Sequence, residues 1–177
     1  MEKIKRLKYF FKDEKIDGYL IPKNDEFFGE YVPRHNDRLN FISNFSGSYG
    51  LSLILNKNNY LFVDGRYTLQ ANKECKKFKI ITFPNKMPYD VLKYKKLSIG
   101  FDPKLFTYKT LNIFFGKNNY KFKPIKRNLI DKIWKRGIKK NTNLFYSMPS
   151  KSVGESFETK INKLSSYLKK IKADYQF

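Results

Sequence analysis

The stretch that most constrains the fold runs from Arg38 to Gln70, RLNFISNFSGSYGLSLILNKNNYLFVDGRYTLQ. A short aromatic turn leads into a Ser/Gly loop, Asn44-Phe45-Ser46-Gly47-Ser48-Tyr49-Gly50. A strand is expected at 51–55, an Asn-rich turn at 56–59 and a second strand at 60–63. Two such apolar runs joined by an Asn-rich turn signal a β-hairpin. Asp64-Gly65-Arg66 then turns the chain into a helix carrying Tyr67, Leu69 and Ala71. An Asp just before a helical run caps it, because its carboxylate accepts the free N–H groups of the first turn.

Around this segment, apolar residues recur at helical or strand spacing. Ile4, Leu7, Phe10 and Phe11 define an amphipathic helix over 2–16, and Tyr19-Leu20-Ile21 a short buried strand closed by Pro22. Residues 23–37 are polar and irregular, with Phe27, Phe28 and Tyr31 interleaved, and Pro33 argues for a loop. Beyond the hairpin, a helix over 66–76, a strand at 79–83, a short helix from Pro88 to Tyr94 and a strand at 98–101 follow. A helix over 108–116 capped by Thr107 comes next, then an edge-type strand over 120–125 containing Pro124, then a helix from an Asn128 cap to Trp134. Strands alternating with helices, one pair of them a hairpin, make an α/β domain with a mixed sheet. Residues 135–154 turn basic and then Asn/Thr- and Pro/Ser-rich, which reads as a linker. From Glu155 to Lys172 the helical period returns, with Phe157, Ile161, Leu164, Leu168 and Ile171 on one stripe.

FISNFSGSYG followed by LFVDGRYTLQA resembles the N-terminal domain of the creatinase/aminopeptidase P family, in its long cytosolic Xaa-Pro aminopeptidase branch. The family pattern there is F-[VIL]-S-G-F-x-G-S-x-G, a hairpin, then W-T-D-G-R-Y-x-x-Q-A. DGYLIP, EYVP with Arg38 after it, IGFDP at 99–103 and NLIDKIW at 128–134 extend the resemblance over nearly the whole chain. Asn44 stands where the family usually has Gly, and Gly137 where a Pro usually follows. The resemblance implies a ribonuclease H-like α/β domain with a mixed sheet and helices on both faces over 1–134, a linker over 135–154 and, over 155–177, the isolated opening helix of an incomplete second domain. It further implies that the full-length enzyme removes an N-terminal residue before proline, using two Mn or Zn ions held by two Asp, one His and two Glu of a C-terminal domain. This chain would then carry no catalytic residue and no metal ligand. Its partners would be the missing second and catalytic domains and, through them, a second copy in a homodimer. Arg38, Asn40 and Phe45 are the candidates for the rim of a neighbouring catalytic mouth.

The residues themselves offer little other chemistry. His35 is the one histidine, in a loop beside Asn36 and Asp37, with no ligand partners at metal spacing. Asp64-Gly65-Arg66 tempts as a base and carboxylate clamp, but reads better as cap, tight turn and local pair. Loop 44–50 lacks the spacing of a phosphate cradle, and Ser43, Ser46 and Ser48 have no base nearby in sequence. The net charge of +21 favours anionic partners in principle, yet Lys is spread along the chain and accompanies abundant Asn, Ile, Phe and Tyr. Compositional drift explains that better than specific nucleic-acid binding. A single cysteine, Cys75, fits a reducing compartment and a small core position. The sequence contains no long apolar run and no signal-peptide pattern, so no membrane contact and a cytoplasmic location are expected. The competing readings are a free-standing pseudoenzyme or regulatory domain and, on charge alone, a nucleic-acid-binding module.

Overall fold

Strand β1 (Gly18–Pro22) is buried at all five positions, and the rest of the sheet is assembled on both sides of it. In a computed structural model, which describes residues 2–92, 96–116, 120–136 and 146–175, β1 pairs antiparallel with β2 (Gly50–Leu55) and parallel with β5 (Ser98–Phe101). The hairpin continues from β2 to β3 (Asn59–Asp64), and β4 (Lys79–Phe83) adds parallel to β3. On the far side β6 (Lys121–Pro124) adds parallel to β5, giving the order β4-β3-β2-β1-β5-β6. The mixed sheet and the edge position of the Pro124 strand agree with the expectation.

Side chains alternate across the pleat and so divide into two cores. Tyr19, Ile21, Ile54, Leu61 and Val63 face a cluster with helices α1 (Glu2–Asp13), α2 (Arg38–Ser43), α3 (Thr68–Glu74) and α6 (Leu129–Ile133). Leu20, Leu51, Leu53, Phe62 and Ile99 face a second cluster with α4 (Pro88–Leu92) and α5 (Tyr108–Phe115). Ile4, Leu7 and Phe11 are the buried residues of α1, as its period requires. Thr107 accepts from the Thr110 N–H and Asn128 from the Ile130 N–H, so both predicted caps are made.

Three local readings change. Residues 38–43, read as a turn, form the short helix α2, capped by the Asp37 carboxylate on the Asn40 N–H. Asp64 caps not an α-helix but a 3-10 turn, Gly65–Tyr67, which hands over to α3 at Thr68. Within the expected linker, Ser150–Val153 is helical (α7). The remainder of that linker from 137 to 145, the end of the short helix expected at Pro88, and Gly137 itself lie outside the described residues.

The chain divides into two units, Met1–Arg136 and Gly137–Phe177. In the second, α8 (Phe157–Ile171) is capped by Ser156, whose hydroxyl accepts from the Thr159 N–H. Phe157, Ile161, Leu164 and Ile171 are exposed along its stripe. No helix among the described residues is long and apolar enough to cross a membrane.

Candidate functional site

The Ser/Gly loop and the aromatic loop 23–37 border one groove of about 460 Å³, lined by Lys23, Tyr31, Arg34, Asn40, Ser46 and Ser48 among others. Both walls are built by short-range bonds and then tied down by long-range ones. Asn44 sits in the left-handed region at φ 67°, as a residue replacing Gly must, and closes α2 by donating its N–H to the Asn40 carbonyl. The Asn40 amide donates to the Phe45 carbonyl at 2.9 Å, and the Ser43 hydroxyl accepts from the Phe45 N–H at 3.1 Å. Phe45 is thereby turned inward, fully buried and edge-on to Tyr67. A Cβ at position 47 would lie 2.4 Å from the Phe45 ring and 2.8 Å from the Tyr67 ring, so only Gly fits there.

Glu74, at the end of α3, fastens the loop. It accepts from the Ser46 N–H at 2.9 Å and the Ser46 hydroxyl at 2.8 Å. Burial pushes its carboxyl up, but the bonds from Ser46 and Gln70 outweigh it and hold the group below its ordinary range. The Ser48 hydroxyl meets the Tyr67 hydroxyl at 2.7 Å. The loop serines are therefore committed to holding the turn.

The opposite wall is anchored by buried charge. Asp25 is buried and accepts from the Phe27 N–H and the Asn36 amide, both at 3.1 Å. Lys23 pairs with Asp37. Arg38, 2 % exposed, clasps two carboxylates: Nη2 and Nη1 reach Glu26 at 2.6 and 3.3 Å, while Nε and Nη2 reach Asp131 of α6 at 2.9 and 3.0 Å. Arg136 pairs with the same Asp131 and lies over Trp134, which stacks on Phe41 at 4.7 Å. Burial alone would lower the Arg38 pKa, but Asp131 and Glu26 reverse that and raise it. In return the Arg38 bond draws Glu26 below its ordinary range.

Above these anchors the loop shows its aromatic residues to solvent. Phe27 is 84 % and Tyr31 82 % exposed, and Phe28 is held at φ 52°, a backbone state uncommon for a bulky residue. Of the three rim candidates, Arg38 and Phe45 are buried and act from beneath, and Asn40 alone lines the groove. The exposed aromatics were visible in the sequence as an interleaved EFFGEY; the Arg38 clasp was not.

Asp64 accepts from the Arg66 N–H, Nε and Nη2, and the Arg66 guanidinium lies over the Tyr67 ring. Cys75 is buried, and that burial pushes its thiol up to about 11. His35 is half-buried, and no group of three or more His, Cys, Asp or Glu among the described residues could hold a metal. The described residues thus do not fit a metal centre. Because a ligand bound only by the native state raises Tm by mass action, micromolar Mn²⁺ or Zn²⁺ is expected to shift the melting midpoint by less than about 1 °C. A rise of several degrees, reversed by chelator, would reveal a site.

This geometry defines a class: an α/β domain with a mixed sheet and an anchored aromatic loop bordering a groove. Residues 3–133 match the Creatinase/Prolidase N-terminal domain, and the chain belongs to that family. It is 30 % identical over 185 residues to a probable Xaa-Pro aminopeptidase P of Laccaria bicolor, covering 98 % of this chain and 29 % of that protein. The X-prolyl aminopeptidase of Caenorhabditis elegans, described as a cytosolic enzyme with a di-nuclear active site, superposes with a TM-score of 0.75 at 26 % identity, over 98 % of this chain and 31 % of its own. The isolated N-terminal domain of the peptidase PepQ from Mycobacterium tuberculosis shares the fold over 75 % of this chain and 98 % of its own, with a TM-score of 0.59 at 19 % identity. The chain spans less than a third of the length of the curated relatives it matches.

Proposed function

We propose that the chain is the noncatalytic N-terminal domain of an Xaa-Pro aminopeptidase-like metallopeptidase, acting in the cytoplasm. The observation that carries this reading is the match of 98 % of this chain to only 31 % of the Caenorhabditis elegans enzyme. Its partners are a second and a catalytic domain, which supply the dinuclear Mn or Zn centre, and through them a second subunit. Its work is interdomain packing, oligomer assembly and restriction of the active-site entrance to short peptides. The exposed Phe27, Phe28 and Tyr31 support a docking role, since clustered apolar side chains on a polar surface mark interaction sites. Asn40 stands at the rim of the groove, with Arg38 and Phe45 holding the rim in place from below.

The chain alone is expected to release no N-terminal residue from an Arg-Pro-Pro peptide, with or without Mn²⁺ or Zn²⁺. Steady release that survives repurification would overturn the reading. The second element is the boundary: residues 135–154 join a folded 1–134 domain to the opening helix of a second. Limited proteolysis is expected to cut within 135–154 first and to leave a core of unchanged Tm. Unfolding of 1–134 on removal of 151–177 would assign α8 to the first domain instead.

A further inference from the structure

A six-stranded open sheet has two edges, and here they are treated differently. β6 carries Lys121 and Lys123 and ends on Pro124, devices that discourage pairing with a further strand. β4, KIITF, has no proline and a single Lys. Beyond its ladder with β3, the one backbone bond made by β4 among the described residues is that from the Lys86 N–H to the Thr82 carbonyl. A cavity of about 680 Å³ runs along this edge, lined by Tyr60, Ile80, Ile81, Thr82 and Val91 among others. Ile80 and Ile81 are only half-buried and, being neighbours on a strand, face opposite sides of the sheet.

The ends of the edge are cationic. Lys76, Lys77 and Lys79 are exposed before and at its start, and Lys86 is exposed just past its end. None of the four forms an ion pair among the described residues. The nearby Asp90 carboxylate accepts from the Met87 N–H at the start of α4.

We propose that the free edge of β4 is a strand-addition site for an extended peptide segment that is apolar in the middle and acidic at both ends. Main-chain bonds to the edge supply the affinity, and the half-buried Ile80 and Ile81 surfaces receive alternate side chains. Five residues of strand span roughly 17 Å, so the two acids stand about six residues apart to meet the lysines at either end. Charge selects this occupant over a second copy of the chain. An antiparallel two-fold pairing centred on Ile81 would bring the cationic start of one copy's edge, with Lys76, Lys77 and Lys79, toward the cationic end of the other, with Lys86, and like charges brought together are destabilising.

The test is titration of the full chain with the labelled peptide Glu-Ile-Thr-Val-Thr-Ile-Glu, read by fluorescence anisotropy and by backbone amide shifts. Saturable binding is expected, with the largest shifts at residues 79–83. Replacing both terminal Glu by Lys is expected to weaken binding about tenfold at low salt, and N-methylation of alternate peptide amides to abolish it. The exposed double variant Lys79→Glu, Lys86→Glu leaves Lys76 and Lys77 in place, and is expected to keep its melting curve and to abolish the preference between the two peptides. Equal binding of the acidic and basic peptides, binding that survives N-methylation, or no binding at all would overturn the proposal. So would concentration-dependent dimerisation that protects the β4 amides, which would give the edge to a second copy.

Discussion

Arg38→Ala is expected to lower stability by about 3 kcal/mol, the low end of what breaking a buried ion pair costs. The guanidinium is 2 % exposed, whereas Glu26 and Asp131 are 32 % and 31 % exposed, so water relieves part of the loss on the carboxylate side. A domain of this size has about 5–15 kcal/mol in total, so the variant loses a large fraction of its margin. Arg38→Lys is expected to recover less than half of the loss, because an ammonium cannot present a fork to two carboxylates at once. Urea unfolding monitored by Trp134 fluorescence measures both. The acid limb provides a separate check. Arg38 draws Glu26 below its ordinary 4.5, so the folded state binds fewer protons than the unfolded in that window. Stability from this pair is therefore complete above about pH 4.5 and is lost as pH falls through the lower folded value. The Arg38→Ala variant is expected to show a flatter acid limb. A loss under about 1 kcal/mol with an unchanged limb would mean the clasp is structurally idle.

Phe45→Ala is the second large effect, about 3–5 kcal/mol for an aromatic ring removed from a packed core. The ring is fully buried, lies 5.9 Å from Tyr67 edge-on, and fills the space that Gly47 and Gly50 leave by lacking a Cβ. Its loss opens a cavity beneath loop 44–50, so the damage is expected to spread to that wall of the groove. Amide exchange at Ser46, whose N–H is held by Glu74, reports it. Protection there is expected to fall further than the global stability loss accounts for. Phe45→Leu, which keeps most of the volume, is expected to cost less than half as much. If Ser46 exchange tracks global unfolding alone, the loop does not depend on this ring.

Both residues were picked from the sequence as rim candidates, and the structure puts both beneath the surface. The reason lies in what a sequence pattern reports. Arg at the start of a segment following Pro33 and a polar run looks exposed, because charged groups are seldom buried unless paired. Its partner Asp131 is 93 residues away, and nothing local announces it. Phe45 sits in a Ser/Gly loop, where no period marks an inward face; its burial follows from the left-handed Asn44 and from Gly47 yielding to the ring. The exposed Phe27 and Tyr31 show the converse, since their inclusion in a polar loop was legible but the buried anchors holding them out were not.

What the sequence by itself determined is what local forces decide. The hairpin turning through Asn56–Asn58, the caps at Thr107 and Asn128, and the inward stripes of α1 and α6 each depend on residues within a few positions of one another. The ordered motifs were enough to place the chain in its family. Tertiary structure alone decided which distant groups meet. The order β4-β3-β2-β1-β5-β6 sets β5 and β6 beside β1, and the chain leaving β6 runs into α6, which packs on α1 and α2. That packing carries Asp131 to Arg38, while the hairpin's own turn into α3 carries Glu74 to Ser46. A charged side chain gains from burial only when its partner arrives with it, and the arrival is settled by strand order rather than by any neighbouring residue.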